Sequence, residues 1–150
     1  MSLQELLDTR KYDILTQATS ALTRAHVSGY ERAGEEETSR RLTALYDLTA
    51  RAVRERNLAP IVAHAETIAA ERFKAGFDLS EVQTAFNVLE ETIWMRALKE
   101  LKPEFQAEAL GLISTVLGAG KDALARKYVS LATKAKAPSL NLQSLFTGAS

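Results

Sequence analysis

Glu71-Arg72-Phe73-Lys74-Ala75-Gly76-Phe77-Asp78-Leu79-Ser80-Glu81-Val82 reads as one helix ending and the next beginning. Gly76 supplies the backbone freedom that helix C-termini commonly use. Asp78 followed three residues later by Glu81 has the pattern of a capping box, in which two side chains satisfy each other's unpaired backbone donors. A connection this short makes the flanking helices antiparallel neighbours.

Upstream, Ile61, Ala65, Ile68, Ala69 and Phe73 recur at helical spacing, and Pro60 suits the first turn of that helix because it lacks a backbone donor and has a preset φ. Before it, Leu42, Leu45, Tyr46, Thr49 and Val53 form another stripe, closed by Arg54-Glu55-Arg56-Asn57. Leu15, Ala18, Leu22 and Ala25 predict a helix over Lys11 to Val27, with a short leading helix over Met1 to Thr9. Ser28 to Glu36 reads as a polar stretch, and Glu35-Glu36-Glu37 as a negative first turn at the positive end of a helix macrodipole. Downstream, Val82, Phe86, Leu89 and Ile93 carry a helix to about Leu101, where Lys102-Pro103 interrupts.

The last helix is expected from Glu104 to about Lys134. One apolar stripe runs through Leu110, Ile113, Leu117, Leu124, Tyr128 and Leu131, and a second through Leu112, Val116, Ala119 and Ala123. A helix apolar on two sides needs two partners. Gly111, Ser114, Thr115 and Gly118 form a small-residue strip that lets another backbone approach, either inside the bundle or across a dimer axis. With only three prolines and seven glycines in 150 residues, the punctuation is that of long helices. The expected fold is therefore all-α: a compact bundle of about five to six helices over residues 1–134. A tail follows over residues 135–150. In it Leu140, Leu142, Leu145 and Phe146 need a surface, on their own domain or in a partner's groove.

Composition excludes several classes of function. Nineteen basic and nineteen acidic residues cancel, leaving no overall field to hold nucleic acid or an anionic membrane surface. Cysteine is absent, which removes disulfides and thiol catalysis and fits a cytoplasmic setting. The acidic N-terminus does not read as a secretory signal, and the longest uncharged stretch, Ala109 to Gly120, is too short to span a membrane. His26 and His64 do not make a metal motif, no porphyrin pocket is evident, and no cofactor is expected. Gly118-Ala119-Gly120-Lys121-Asp122 superficially matches a phosphate loop, but Thr115 stands where the first glycine belongs and Asp122 where Ser or Thr belongs.

Two clusters remain. Arg72 shares a stripe with Ile61, Ala65 and Ile68, so its guanidinium is expected to be partly buried and to need an anionic or carbonyl partner. Counting outward from the turn places Arg72 opposite Glu81 or Thr84, and His64 near Glu90. Structural pairing is the expected use of such a charge. A small apolar or anionic ligand near Arg72, Phe73, Phe77, Phe86 and Trp94 is the alternative. Gln83, Asn87, Glu90 and Trp94 form an amphipathic stripe, which suits either an interface anchor or a tryptophan at the core margin. Candidate interface residues are thus Asn87, Glu90, Trp94, Gly111, Leu112, Val116 and Gly118.

From Glu71 to Val82, followed by Ala85-Phe86-Asn87, the sequence resembles the N-terminal domain of RsbRD-type proteins, co-antagonists of the bacterial stressosome. Similar domains precede other output modules in bacterial regulators. The likeness extends over Lys11 to Leu131 in helix layout, and its specific part is the arginine-to-glycine turn with Leu79, Glu81 and Val82. The resemblance implies a helical sensory domain, related in role to the non-haem globin-like sensors of the stressosome, that dimerises and passes a signal onward without catalysis. In such proteins the signal passes to an attached phosphorylatable domain. Here only a short tail follows, so the expectation is a separate regulatory protein partner, or a chain that is part of a longer regulator.

Overall fold

The computed structural model describes residues 1–136, and all regular structure among them is helical. Seven helices follow in order: α1 (Leu3–Thr9), α2 (Lys11–Arg24), α3 (Ser28–Ala33), α4 (Glu35–Glu55), α5 (Ala59–Lys74), α6 (Leu79–Glu100) and α7 (Pro103–Lys136). The additional helix is α3, inside the stretch expected to be only polar. Two residues anchor it: Gly29 and Tyr30 are buried, and Gly34 ends it with φ +88°. So few apolar residues set no detectable period. At the other boundaries α2 stops at Arg24, ahead of His26 in the left-handed region, and α7 starts at Pro103 itself, where a missing donor is harmless.

The capping box at Asp78 is closed, and Gly76 takes φ +86°, as the sequence of this junction requires. Arg56 caps α4 in the left-handed conformation, and Pro60 lies in the first turn of α5. The core runs through Leu6, Leu7, Ile14, Leu22, Leu42, Tyr46, Ile61, Phe86, Leu89, Ile93, Ile113 and Leu117.

Helix α7 packs most extensively on α5, then on α6 and more lightly on α4, while α2 lies on α6 and α4. Both stripes of α7 therefore find partners within the chain. Val116 and Ala123, on the second stripe, are buried as deeply as Ile113 and Leu124 on the first. The other two residues of this second stripe, Leu112 and Ala119, are half-buried, with Leu112 beside residues of α1 and α4. Within the chain, the tight contact at an α7 glycine is at Gly120, outside the small-residue strip, and it is with a side chain. A Cβ on Gly120 would meet the Phe86 ring at 2.8 Å, whereas one on Gly111 or Gly118 would meet nothing within 4 Å. The apolar tail residues Leu140, Leu142, Leu145 and Phe146 lie outside the described residues.

Candidate functional site

Helices α4 and α5 lie side by side, with the first turns of α6 and Tyr30 of α3 closing one end of the groove between them. Between them is a half-open cavity of about 570 Å³. The pattern of α5 explains its deepest charge. Arg72 continues the stripe of Ile61, Ala65 and Ala69, so packing the stripe drags the guanidinium inward until only 8% of the residue is exposed. Among the described residues it is the one charged side chain buried to this degree.

The partner expected across the turn is not there. Glu81 is engaged elsewhere: one carboxylate oxygen accepts from the backbone N–H of Gly29 at 2.8 Å and the other from that of Asp78 at 3.0 Å. Arg72 reaches only its sequence neighbour Glu71, at 3.4 Å, and that carboxylate is 60% exposed. The guanidinium instead lies over the Phe77 ring, 5.8 Å from its centroid, with Arg41 at 5.7 Å and Arg32 at 5.9 Å from the same centroid. Burial, and after it the neighbouring Arg41 guanidinium, hold Arg72 below the ordinary arginine range.

Arg41 comes from α4, through a position with no apolar periodicity to mark it. Its Nε donates to Glu37 at 3.1 Å, while its Nη1 is fully buried without a partner. Glu37 also binds Arg40, and chiefly that hydrogen bond pulls its carboxyl down to about 2. Tyr30, whose hydroxyl is pushed up to about 12 mainly by burial, sits edge-on to Phe77 at 5.3 Å. His64 completes the wall from α5. Burial first and the charge of Arg72 second lower its pKa, favouring neutral imidazole.

The four residues singled out around the junction divide between two roles. Arg72 and Phe86 line the cavity. Phe77 lies beneath the guanidinium groups, and Phe73 turns away to meet Tyr128 edge-on at 5.7 Å, while the Tyr128 hydroxyl donates to the Phe77 carbonyl at 3.1 Å. Trp94 is two turns further along α6 and takes no part in the cavity. Sequence reasoning missed Arg41, Arg40 and Tyr30. The only local signal for the first two is the Glu37-x-x-Arg40-Arg41 spacing, which reads equally well as a solvated set of helix pairs.

The candidate interface residues also separate. Asn87 and Glu90 are tied to α7: Lys121 Nζ donates to Asn87 at 2.9 Å and pairs with Glu90 at 3.3 Å, and Ser114 donates to Glu90 at 3.2 Å. Glu90 is thus paired with Lys121, while His64, expected near Glu90, lines the cavity with Arg72. Val116 is buried, and Leu112 is half-buried in a cleft with Met1, Leu3, Val53 and Phe105. Gly111 is exposed and Gly118 half-buried. On the outward side of α6, Met95 is 64% exposed, Leu98 is 53% exposed, and half-buried Trp94 has its Nε1 enclosed without a partner.

Fold and site together define a small all-helical module built around an arginine-lined cavity. The chain belongs to the family described as the RsbT co-antagonist protein rsbRD N-terminal domain, whose model matches residues 13–135. That span takes in every residue around the cavity and the whole α5–α6 junction, leaving α1 ahead of it. No curated protein and no solved structure matches the chain.

Proposed function

We propose that this chain is a non-catalytic regulatory module of the stressosome type that works by docking, with a second copy of itself as the partner on the outward face of α6. Membership in a family named for a co-antagonist supports the regulatory part, since antagonism of a named protein is exerted by contact. The observation that carries the docking part is the exposure of Met95 and Leu98 beside Trp94 within little more than one turn of α6. Large apolar side chains grouped on one solvent-facing turn mark contact surfaces, and a tryptophan at their edge is a favoured anchor.

The charges bordering this face are Glu90, already paired with Lys121, and the exposed Glu91 and Lys99, which have no ion pair among the described residues. A second copy is the fitting occupant, because an antiparallel isologous contact sets Glu91 of one copy against Lys99 of the other around the apolar centre. No helix among the described residues is long and apolar enough to cross a membrane. Light scattering at about 100 µM protein is the test: a dimer is expected, and Met95→Glu with Leu98→Glu should convert it to a folded monomer. A wild-type monomer, or a double variant that still dimerises, would sink the reading. Leu112→Glu is a poor probe of docking, since Leu112 leans into the cleft between α1, α4 and α7 and its substitution strikes the fold.

A further inference from the structure

The cavity between α4 and α5 has more positive charge than its own wall can neutralise. Among the described residues, Arg40, Arg41 and Arg72 line it against two carboxylates, Glu37 and Glu71. Glu37 is shared between Arg40 and Arg41. Glu71, largely in solvent, meets Arg72 at a distance too long for a strong charge-assisted bond. One guanidinium therefore lacks a good counter-charge, and it is the most deeply buried of the three. A guanidinium carries five donors in a planar fork, and leaving such donors unmet inside a protein is costly. Arg41 Nη1 is an enclosed donor with no acceptor among the described residues.

We propose that this cavity binds a small organic anion, with a carboxylate or phosphate head gripped by Arg41 and Arg72 and a short apolar body against Ile68, Ala44 and Ala75. The head follows from the donors, because planar forks match carboxylate and phosphate oxygens two at a time. The body follows from the apolar surface the cavity leaves open, at half-buried Ile68 and exposed Ala44 and Ala75, over a floor of core residues Leu42 and Phe86. The volume falls in the range of small-molecule sites, roughly 300–1,000 Å³. The two arginines stand on different helices, so an anion held between them ties α4 to α5. Phe77, lying under both guanidinium groups, keeps them near each other before any ligand arrives. None of this depends on the face of α6.

Titration calorimetry and thermal unfolding of the full chain with four probes test it: hexanoate, hexyl phosphate, inorganic phosphate and 1-hexanol. At least one of the two amphiphilic anions should bind saturably below 1 mM and, at ten times its Kd, raise Tm by about 3–6 °C. The preference between them assigns the head group. Inorganic phosphate and 1-hexanol should each bind at least tenfold more weakly than the better anion. Arg41→Gln should weaken that anion at least tenfold, as should Arg72→Lys, which keeps the charge but loses the fork, while Arg56→Gln at the far end of α4 should leave binding unchanged. Arg41 is only partly buried, so its variant reports even if the Arg72 variant does not fold. The proposal fails if neither anion binds up to 10 mM, if 1-hexanol or inorganic phosphate matches them, or if Arg41→Gln binds like the parent chain.

Discussion

The carboxylate of Glu81 accepts the backbone N–H of Gly29 at 2.8 Å, joining residues 52 apart in the chain. Its other oxygen closes the capping box at Asp78, so one side chain ends the α5–α6 turn and pins the start of α3. These backbone bonds, that to Asp78 foremost, hold Glu81 below the ordinary carboxylate value of 4.5.

Glu81→Ala should cost about 1–3 kcal/mol, as expected when donors lose a charged acceptor. The pH dependence has a definite sign. The folded pKa is depressed, so the contribution is present above about pH 5 and is lost as pH falls through the folded value. Urea unfolding at pH 7 and pH 3.5 measures both effects. Glu81→Gln should narrow the difference between the two pH values, and an unchanged difference would show that the carboxylate does not hold this junction.

Glycine-to-alanine substitutions should split into two groups. In an ordinary exposed helix the change stabilises by about 0.5–1 kcal/mol. Gly120→Ala should instead destabilise by about 1–3 kcal/mol, because the new methyl overlaps the Phe86 ring and the core has no slack to absorb it. Gly29→Ala should behave likewise, its methyl falling inside the Phe77 ring. Gly111→Ala meets nothing within 4 Å and should stabilise. Thermal unfolding of the three variants is enough, and a stable Gly120→Ala protein would contradict the packing of α6 on α7.

His64 should make the chain less stable on mild acidification. Its pKa in the fold lies below the ordinary 6.5, chiefly through burial, so the unfolded chain takes up the proton first. Stability then rises with pH across this window and is lost as pH falls from about 7 towards 5. His64→Gln should flatten that slope in denaturant titrations. A slope that survives the substitution assigns it to another group.

Tyr46, almost wholly buried, donates its hydroxyl to the Leu7 carbonyl and so fastens α1 to α4. Tyr46→Phe should cost about 1 kcal/mol or somewhat more, since the buried carbonyl loses its donor. Hydrogen exchange should localise the loosening to residues 3–9. Uniform loosening of all helices would mean that α1 is not a separable unit.

The parts of this fold legible in the sequence are those set by contacts within a few residues. Gly76 with Asp78 and Glu81, Pro60 and the stripe carrying Arg72 each declare a helix end or a buried face by spacing alone. What escaped is set by contacts across the chain. Gly29 gains its acceptor 52 residues away, and Tyr30 is buried because Phe77 meets it there. Arg41 looks like half of a surface pair until α5 is laid beside it. The second stripe of α7 left an internal crossing and a dimer axis both open because periodicity counts apolar faces without saying which helices cover them.

The length of α7 has a mechanical consequence. Its 34 residues form a rod of roughly 50 Å, so a tilt of about 5° at one end carries the other through roughly 4 Å. Its most extensive neighbour is α5, the helix that bears Arg72 and His64. A tilt of α7 against the helix that holds the cavity's charge would therefore be enlarged at the far end of α7.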